Sequence, residues 1–338
     1  MLYLESINKS LHNLMDVDSQ VILIGEDLLD AYGGGAFKVS KGLSTKFPKQ
    51  VISTPISEQS ITGAAIGMSM RGMKPIVEIM FGDFLTLCVD QIVNHATKYH
   101  WMYDEQVSVP VVIRAPMGGG RGYGPTHSQS LESMFMTVPG LNIIAPSIFH
   151  NPGEILKKCV LNEQHPCLFI ENKISYPKKI QRENRFGDFH IERVQTIDGF
   201  ENILLRLYKD EKPDVLIITY GGMAELAVKC AYEAFMDEEI LVNVLVIASL
   251  KPIPKDPIIA QANRASCVLV IEEGNQIGGW GAEISSVIHE NVFSSLNSPV
   301  MRLGAKDSPI PSSMNMEGEV LPTLSSIKKS ILKLVKSV

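Results

Sequence analysis

Glu58 stands as a single carboxylate in a stretch that is otherwise small, apolar or hydroxylated, STPISEQSITGAAIGMSM over residues 53–70. A carboxyl group in such company has two readings. It either complements the positive end of a helix dipole, or it is buried, in which case it holds its proton more tightly than in water and suits proton donation to a ligand. The local pattern supports a helix start. Pro55 stops the extended run at Val51 and Ile52 from continuing as helix, and Ser57 can cap a helix whose first turn holds Glu58 and Gln59. Beyond it, Ile61, Ala64, Ala65 and Met68 with Gly63 and Gly67 give a helix apolar on most sides, carrying a strip of small residues that another backbone could approach closely. Such a helix belongs in a core or an interface.

His127 is the second candidate. It lies in APMGGGRGYGPTHSQS, after five glycines between Met117 and Pro125. The glycines suggest a phosphate cradle, yet no G-K-[ST] follows and none of them fits G-x-G-x-x-G. What remains is a tightly turned loop that delivers an imidazole, either to solvent or to a ligand. AYGGGAFKVSKGL has a similar cluster at 33–35, and IGGWGAEI reads as a Gly-rich helix start. No G-x-S-x-G elbow and no H-E-x-x-H pair occur, so serine-hydrolase and zinc-protease chemistry has no support.

The elements that must position these residues alternate. VILIGED, KPIVEIM, VPVVIRAP, LNIIAPS and PCLFIEN read as short buried strands, with helical segments such as FLTLCVDQIVNHATKYHWM and a helix over 152–162 between them. DVLIITYGG, ILVNVLVIASL, CVLVIEEG and PVMRLG repeat the alternation, with a helix through Phe235, others after Pro257 and from Gly281, and a last one to Lys336. Strands alternating with helices mean parallel sheets covered on both faces. The expected fold is α/β, two doubly wound, mostly parallel-sheet domains over 1–180 and 201–338, joined by a charged linker over 181–200. Ligands of such sheets lie beyond the carboxyl ends of the strands, where Glu26, Glu58, the loop after Val112 and the glycines after Thr219 all fall.

Composition sets the outer bounds. The 338 residues are 45% hydrophobic and 20% charged with a net charge of -6, ordinary for a soluble globular chain and against a nucleic-acid surface. No run of eighteen apolar residues could span a membrane. The start, MLYLESINKSLHNLMD, has the pattern of an amphipathic helix rather than a signal or transit peptide, so a cytoplasmic protein is expected. The five cysteines are scattered with no C-x-x-C pair and are expected to be core thiols.

GED at 25–27, FKVSKGL at 37–43, TPISEQ at 54–59, IVEIMFGDF at 76–84, DQIVNHATKY at 90–99, VPVVIRAPMGGG, HSQS and ITYGGM follow one another in the order and approximate spacing of one family. The chain resembles, nearly end to end, the beta subunit of the thiamine-diphosphate-dependent first component of 2-oxo acid dehydrogenase complexes, a relative of the transketolase pyrimidine-binding and C-terminal domains. The resemblance implies that Glu58 bonds the aminopyrimidine ring nitrogen of the cofactor and so activates the thiazolium carbon that attacks a 2-oxo acid. It implies that Glu26, Ile56 and Met80 line the pyrimidine site, that Phe84 stacks on the ring, and that His127 handles the substrate carboxylate or the acyl transfer to a lipoyl group. Met80 departs from the polar residue found in some members. A structural potassium held by backbone carbonyls would fall on Val111, Val160, Leu161, Glu163 and His165. The family's G-D-G motif, which holds magnesium and the diphosphate, is absent from the chain, so those ligands are expected on an alpha subunit, within an α2β2 assembly that docks on a lipoyl acyltransferase core. The competing readings are the C-terminal subunit of a split transketolase-like enzyme and a silent scaffold of the same fold.

Overall fold

The computed structural model describes residues 1–162, 164–196 and 199–336. They group into two compact units. The first comprises Met1–Met117, Met134–Ile144 and Asn151–Lys179, and the second Gly118–Ser133, Ala145–His150 and Ile180–Val338.

In the first unit, strands β1 (Val21–Glu26), β2 (Val51–Thr54), β3 (Lys74–Glu78), β4 (Val112–Met117), β5 (Asn142–Ile144) and β6 (Cys167–Asn172) lie in the order β5-β6-β4-β3-β1-β2, every neighbouring pair parallel. β1, β4 and β6 are buried along their whole length, as a sheet covered on both faces requires. Helix Tyr3–Val17 turns Tyr3, Ile7, Leu11 and Leu14 inward, the 3–4 spacing of one helical face. It packs on helix Pro152–Asn162, where a Cβ on Gly153 would stand 2.2 Å from the Ser6 carbonyl oxygen. Only glycine allows that approach.

The segment expected as one helix over 84–102 is three pieces: a 3-10 stretch Gly82–Cys88, a π stretch Gln91–Ala96 and a short α-helix Tyr99–Met102. Apolar spacing marks a buried helical face but does not distinguish hydrogen bonds three, four or five residues apart. Gly82 is pressed against Met117, whose Cγ would lie 2.3 Å from an added Cβ, so the start of this segment is fixed by packing that the pattern does not report.

Beneath the carboxyl rim of this sheet lies a buried ionic cluster. Arg114 donates to Glu78 at 2.6 Å and to both oxygens of Glu171 at 2.6 and 2.9 Å, and the Tyr176 hydroxyl donates to Glu171 at 2.9 Å. Burial pushes the Glu78 carboxyl up, opposed by Arg114. The bidentate fork satisfies charges that would be costly to bury singly. It also ties three neighbouring strands together next to Glu26, since Gly25 is the register partner of Glu78.

The second unit holds β7 (Arg185–Phe186), β8 (Phe189–Gln195), β9 (Glu201–Arg206), β10 (Val215–Tyr220), β11 (Val242–Ile247), the three-residue β12 (Ser249–Lys251), β13 (Cys267–Asn275) and β14 (Met301–Ala305). Its sheet runs β14-β13-β10-β11-β9-β8-β7. The first four strands of that order are parallel, and β9, β8 and β7 extend them antiparallel. Helices Met223–Glu238, Lys255–Ala262, Trp280–Val292 and Leu324–Lys336 accompany the parallel part, in the places the alternation predicts. The antiparallel strands over 185–206 are additions that the alternation does not contain. All five cysteines are free and buried, as expected of core thiols. Among the described residues no helix is long and apolar enough to cross a membrane.

Candidate active site

β1 ends on Glu26 and helix Glu58–Ser69 begins on Glu58, both at the carboxyl rim of the first sheet. Glu26 is 6% and Glu58 5% exposed. The structure therefore sets two buried carboxylates beside each other at this rim, Glu26 and Glu58. The Glu26 carboxyl is raised from its ordinary value, by burial first and then by the charge of Glu58, with a hydrogen bond from the Ser57 amide opposing. Its Oε1 is buried with no hydrogen-bond partner among the described residues. A buried, unsatisfied carboxylate oxygen is costly unless a ligand group meets it.

Ser57 occupies the N-cap position, but its hydroxyl meets the Ser60 hydroxyl at 2.9 Å and caps no backbone amide. This corrects the expected capping role: the hydroxyl pair leaves the helix start without a side-chain cap. The floor under Glu58 is made by Cys88, whose thiol donates to the Glu58 carbonyl at 3.5 Å and accepts from Thr62 Oγ1 at 3.3 Å. Burial, with Glu58 and Glu26 adding to it, pushes the Cys88 thiol up to about 11, so it is a packing group and a weak donor rather than a nucleophile.

Phe84 lies on the same 3-10 stretch as Cys88, half-buried, with its ring edge-on to Phe81 at 6.0 Å. Phe81 in turn meets Phe37 at 5.4 Å and carries the Lys173 ammonium at 5.2 Å from its ring centre. Met80 is half-buried and Ile56 is 79% exposed. The geometry thus brings Glu26, Glu58 and the Phe84 segment together, with Ile56 at the lip. The small-residue strip is open, since Gly63, Ala64 and Gly67 are all exposed.

His127 is half-buried in a loop of the second unit, its Nδ1 3.0 Å from Thr126 Oγ1 and its amide donating to the Gly124 carbonyl at 3.3 Å. Four glycines of that loop, Gly118, Gly120, Gly122 and Gly124, have positive φ, a conformation that turns successive amides inward as an anion nest. The anions are the protein's own. Glu273 accepts from Gly119 N at 2.7 Å, and Glu317 accepts from Gly120 N at 2.6 Å and Gly122 N at 3.1 Å. Glu317 is 2% exposed. The loop is therefore a clasp that fixes the segment leading to His127, and its amides are spent on carboxylates rather than on a phosphate. Neither glutamate is found by sequence reasoning. Glu273 had a signal, a pair of acids ending an otherwise apolar strand, whereas Glu317 sits on the short helix Met314–Val320 with no signal at all.

Behind the clasp, the Tyr220 hydroxyl donates to Glu132, and Glu272 accepts from Gly281 N at 3.1 Å. Burial, reinforced by Glu132, pushes the Glu272 carboxyl up to about 8 from 4.5. Between those values the folded chain keeps a proton that the unfolded chain has lost. Stability must therefore fall as pH rises through that window, by up to ~1.4 kcal/mol per pH unit for this one group. Glu272→Gln should remove that share of the slope and be stabilising, relative to the parent, at pH 8.5 but not at pH 5. Urea unfolding at several pH values reads this directly, and a parent-like slope in the variant would show Glu272 to be ionised in the fold.

Of the positions suggested for a potassium ion, Val111 and Val160 are buried, Leu161 and His165 are exposed, and Glu163 lies outside the described residues. The Val111 carbonyl accepts the Cys167 amide at 2.9 Å. No group of three or more His, Cys, Asp or Glu side chains that could hold a metal is found among the described residues.

Residues 1–179 match the transketolase pyrimidine-binding domain and residues 206–327 the transketolase C-terminal domain. The chain is similar to the 2-oxoisovalerate dehydrogenase subunit beta of Bacillus subtilis, 33% identical over 94% of this chain and 93% of the relative. It is similar also to the mitochondrial pyruvate dehydrogenase E1 component subunit beta-1 of Arabidopsis thaliana, 32% identical over 96% of this chain and 87% of the relative. Among solved structures it resembles a split-gene transketolase described as an inactive beta4 tetramer, with a TM-score of 0.72 over 99% of this chain and 98% of that one. At 21% identity that likeness is one of fold alone. With its paired carboxylates at the sheet rim and these relatives along nearly its whole length, the chain belongs to the family of beta subunits of the 2-oxo acid dehydrogenase first component, built from transketolase pyrimidine-binding and C-terminal domains.

Proposed function

We propose that the first unit contributes the pyrimidine half of a thiamine diphosphate site in an enzyme that oxidatively decarboxylates a 2-oxo acid and passes the acyl group to a lipoyl carrier. The supporting observation is the buried pair Glu26 and Glu58 with an unpartnered Glu26 oxygen. An aminopyrimidine fits this donor set, because it offers an amine to a carboxylate and a ring nitrogen to a protonated carboxyl. When bound, the cofactor supplies the electron sink for decarboxylation. The chain's own residues do the rest. Glu58 holds and returns a proton at its carboxyl, Glu26 orients the amine, Phe84 covers the ring, and His127, on its clasped loop, meets the substrate carboxylate or the acyl acceptor.

The chain has no G-D-G motif for magnesium and diphosphate, and its apolar lip is open at Ile56, Leu87, Gly63 and Gly67. Both features call for an alpha subunit, in an α2β2 assembly whose second beta domain docks on an acyltransferase core. Calorimetry tests the division of labour. The purified chain should show no tight uptake of thiamine diphosphate with magnesium, and tight uptake should appear when its alpha partner is added. Tight binding to the chain alone would overturn the proposal.

A further inference from the structure

A second site lies in the antiparallel ribbon of the second unit, away from any strand that carries a residue of the proposed chemistry. Register places Arg185 opposite His190 and His190 opposite Arg206. Three basic side chains therefore share one face in a single row across β7, β8 and β9. Like charges placed directly across a sheet repel, and two strand spacings set the outer arginines roughly 10 Å apart at the backbone. The row lines a concavity of about 590 Å³ that also includes Lys209, Glu192 and Arg193, within the size range of small-molecule pockets.

The charges do not cancel. Glu192 pairs with Arg206, which also donates to the Lys209 carbonyl at 2.9 Å, and the Arg206 Nε is buried with no partner among the described residues. Arg193 is committed elsewhere: it donates to the Phe149 and Gln181 carbonyls at 3.0 and 3.1 Å and pairs with Glu201, which Arg182 also meets. Among the residues lining the concavity, Arg185, Arg206 and Lys209 are thus set against one carboxylate, that of Glu192, on a chain whose net charge is -6. The field is felt at the centre of the row, where His190 is held below the usual histidine range by desolvation first and then by Arg185, Lys209 and Arg206.

We infer that this concavity is an anion site for a small phosphate-bearing molecule, gripped by the fork of Arg185 and by the Arg206 guanidinium once the ligand displaces Glu192 from it, with Lys209 at the rim and His190 between them. Guanidinium forks match phosphate oxygens in pairs, and a concave wall concentrates the field on a compact ligand. The inference stands apart from the proposed function.

The probe is inorganic pyrophosphate, titrated into the full-length chain at constant ionic strength. Saturable one-to-one binding is expected. Lys209→Gln, an exposed change that leaves the fold intact, and Arg185→Gln should each weaken it ~10-fold or more, while Glu192→Gln should tighten it. Lys157→Gln, on an exposed face of helix Pro152–Asn162, should leave it unchanged. Absence of saturable heat, or an equal loss in Lys157→Gln, would overturn the site. Uptake of poly-glutamate without uptake of pyrophosphate would overturn the small-molecule assignment in favour of an acidic peptide.

Discussion

Glu58→Gln should lower turnover of the reconstituted enzyme by ~10²–10⁴-fold, the range associated with loss of a positioned acid or base, while thiamine diphosphate affinity stays within ~10-fold of the parent, about 1.4 kcal/mol. The split follows from what glutamine keeps. It preserves the shape of the side chain and can donate through its amide, but it cannot take up or release a proton. The site is built to make that difference matter. Glu58 begins its helix 5% exposed, over the Cys88 thiol and beside the buried Glu26. The charge of Glu58 is also one cause of the raised Glu26 carboxyl, so the substitution should lower the pH at which Glu26 ionises. Steady-state kinetics paired with calorimetry separate this from a helix-dipole role, which predicts a stability loss of ~1 kcal/mol or less and normal turnover.

His127→Ala should cut overall acyl transfer ~100-fold or more and spare cofactor binding. The imidazole is half-buried and carried on a loop whose amides are held by two buried carboxylates, Glu273 and Glu317. A histidine that served only as a loop residue would not need that restraint. Because the clasp lies at residues 119–122, removing the imidazole leaves it in place, and the fold of the loop should survive the change. The loss should appear in acyl transfer to a lipoyl acceptor. Unchanged transfer would make His127 an ordinary loop histidine.

The parallel strands were legible because each is a short Val, Ile and Leu run buried on both faces, and VILIGE could hardly be anything else. The position of Glu58 at a helix start was legible from Pro55 and the small residues that follow. So was the company of Glu26, which the strand-end rule and the family resemblance both place at the same rim. The direct coupling of the two carboxyls and the unpartnered Glu26 oxygen were not, because they depend on the β1–β2 register, Glu26 opposite Thr54, which sets Glu26 beside the helix start four residues on. The 3-10 and π geometry over 82–96 escaped because apolar spacing is the same for tight and wide helices. The clasp escaped for a different reason. Five glycines announce a nest, but nothing local says whether a ligand or a distant glutamate will fill it, and here Glu317 lies 195 residues from Gly122. The antiparallel ribbon over 185–206 was masked by its charges, the same charges that form the basic row.

The most direct test of Glu58 as the proton-handling group is exchange of the thiazolium C2 proton of thiamine diphosphate, followed by quenched-exchange NMR on the enzyme reconstituted with its alpha subunit. The parent should exchange fast, and Glu58→Gln, with cofactor bound, should exchange slower by ~10²-fold or more. A variant rate equal to the parent's would remove Glu58 from the chemistry and leave it as a helix-terminal charge.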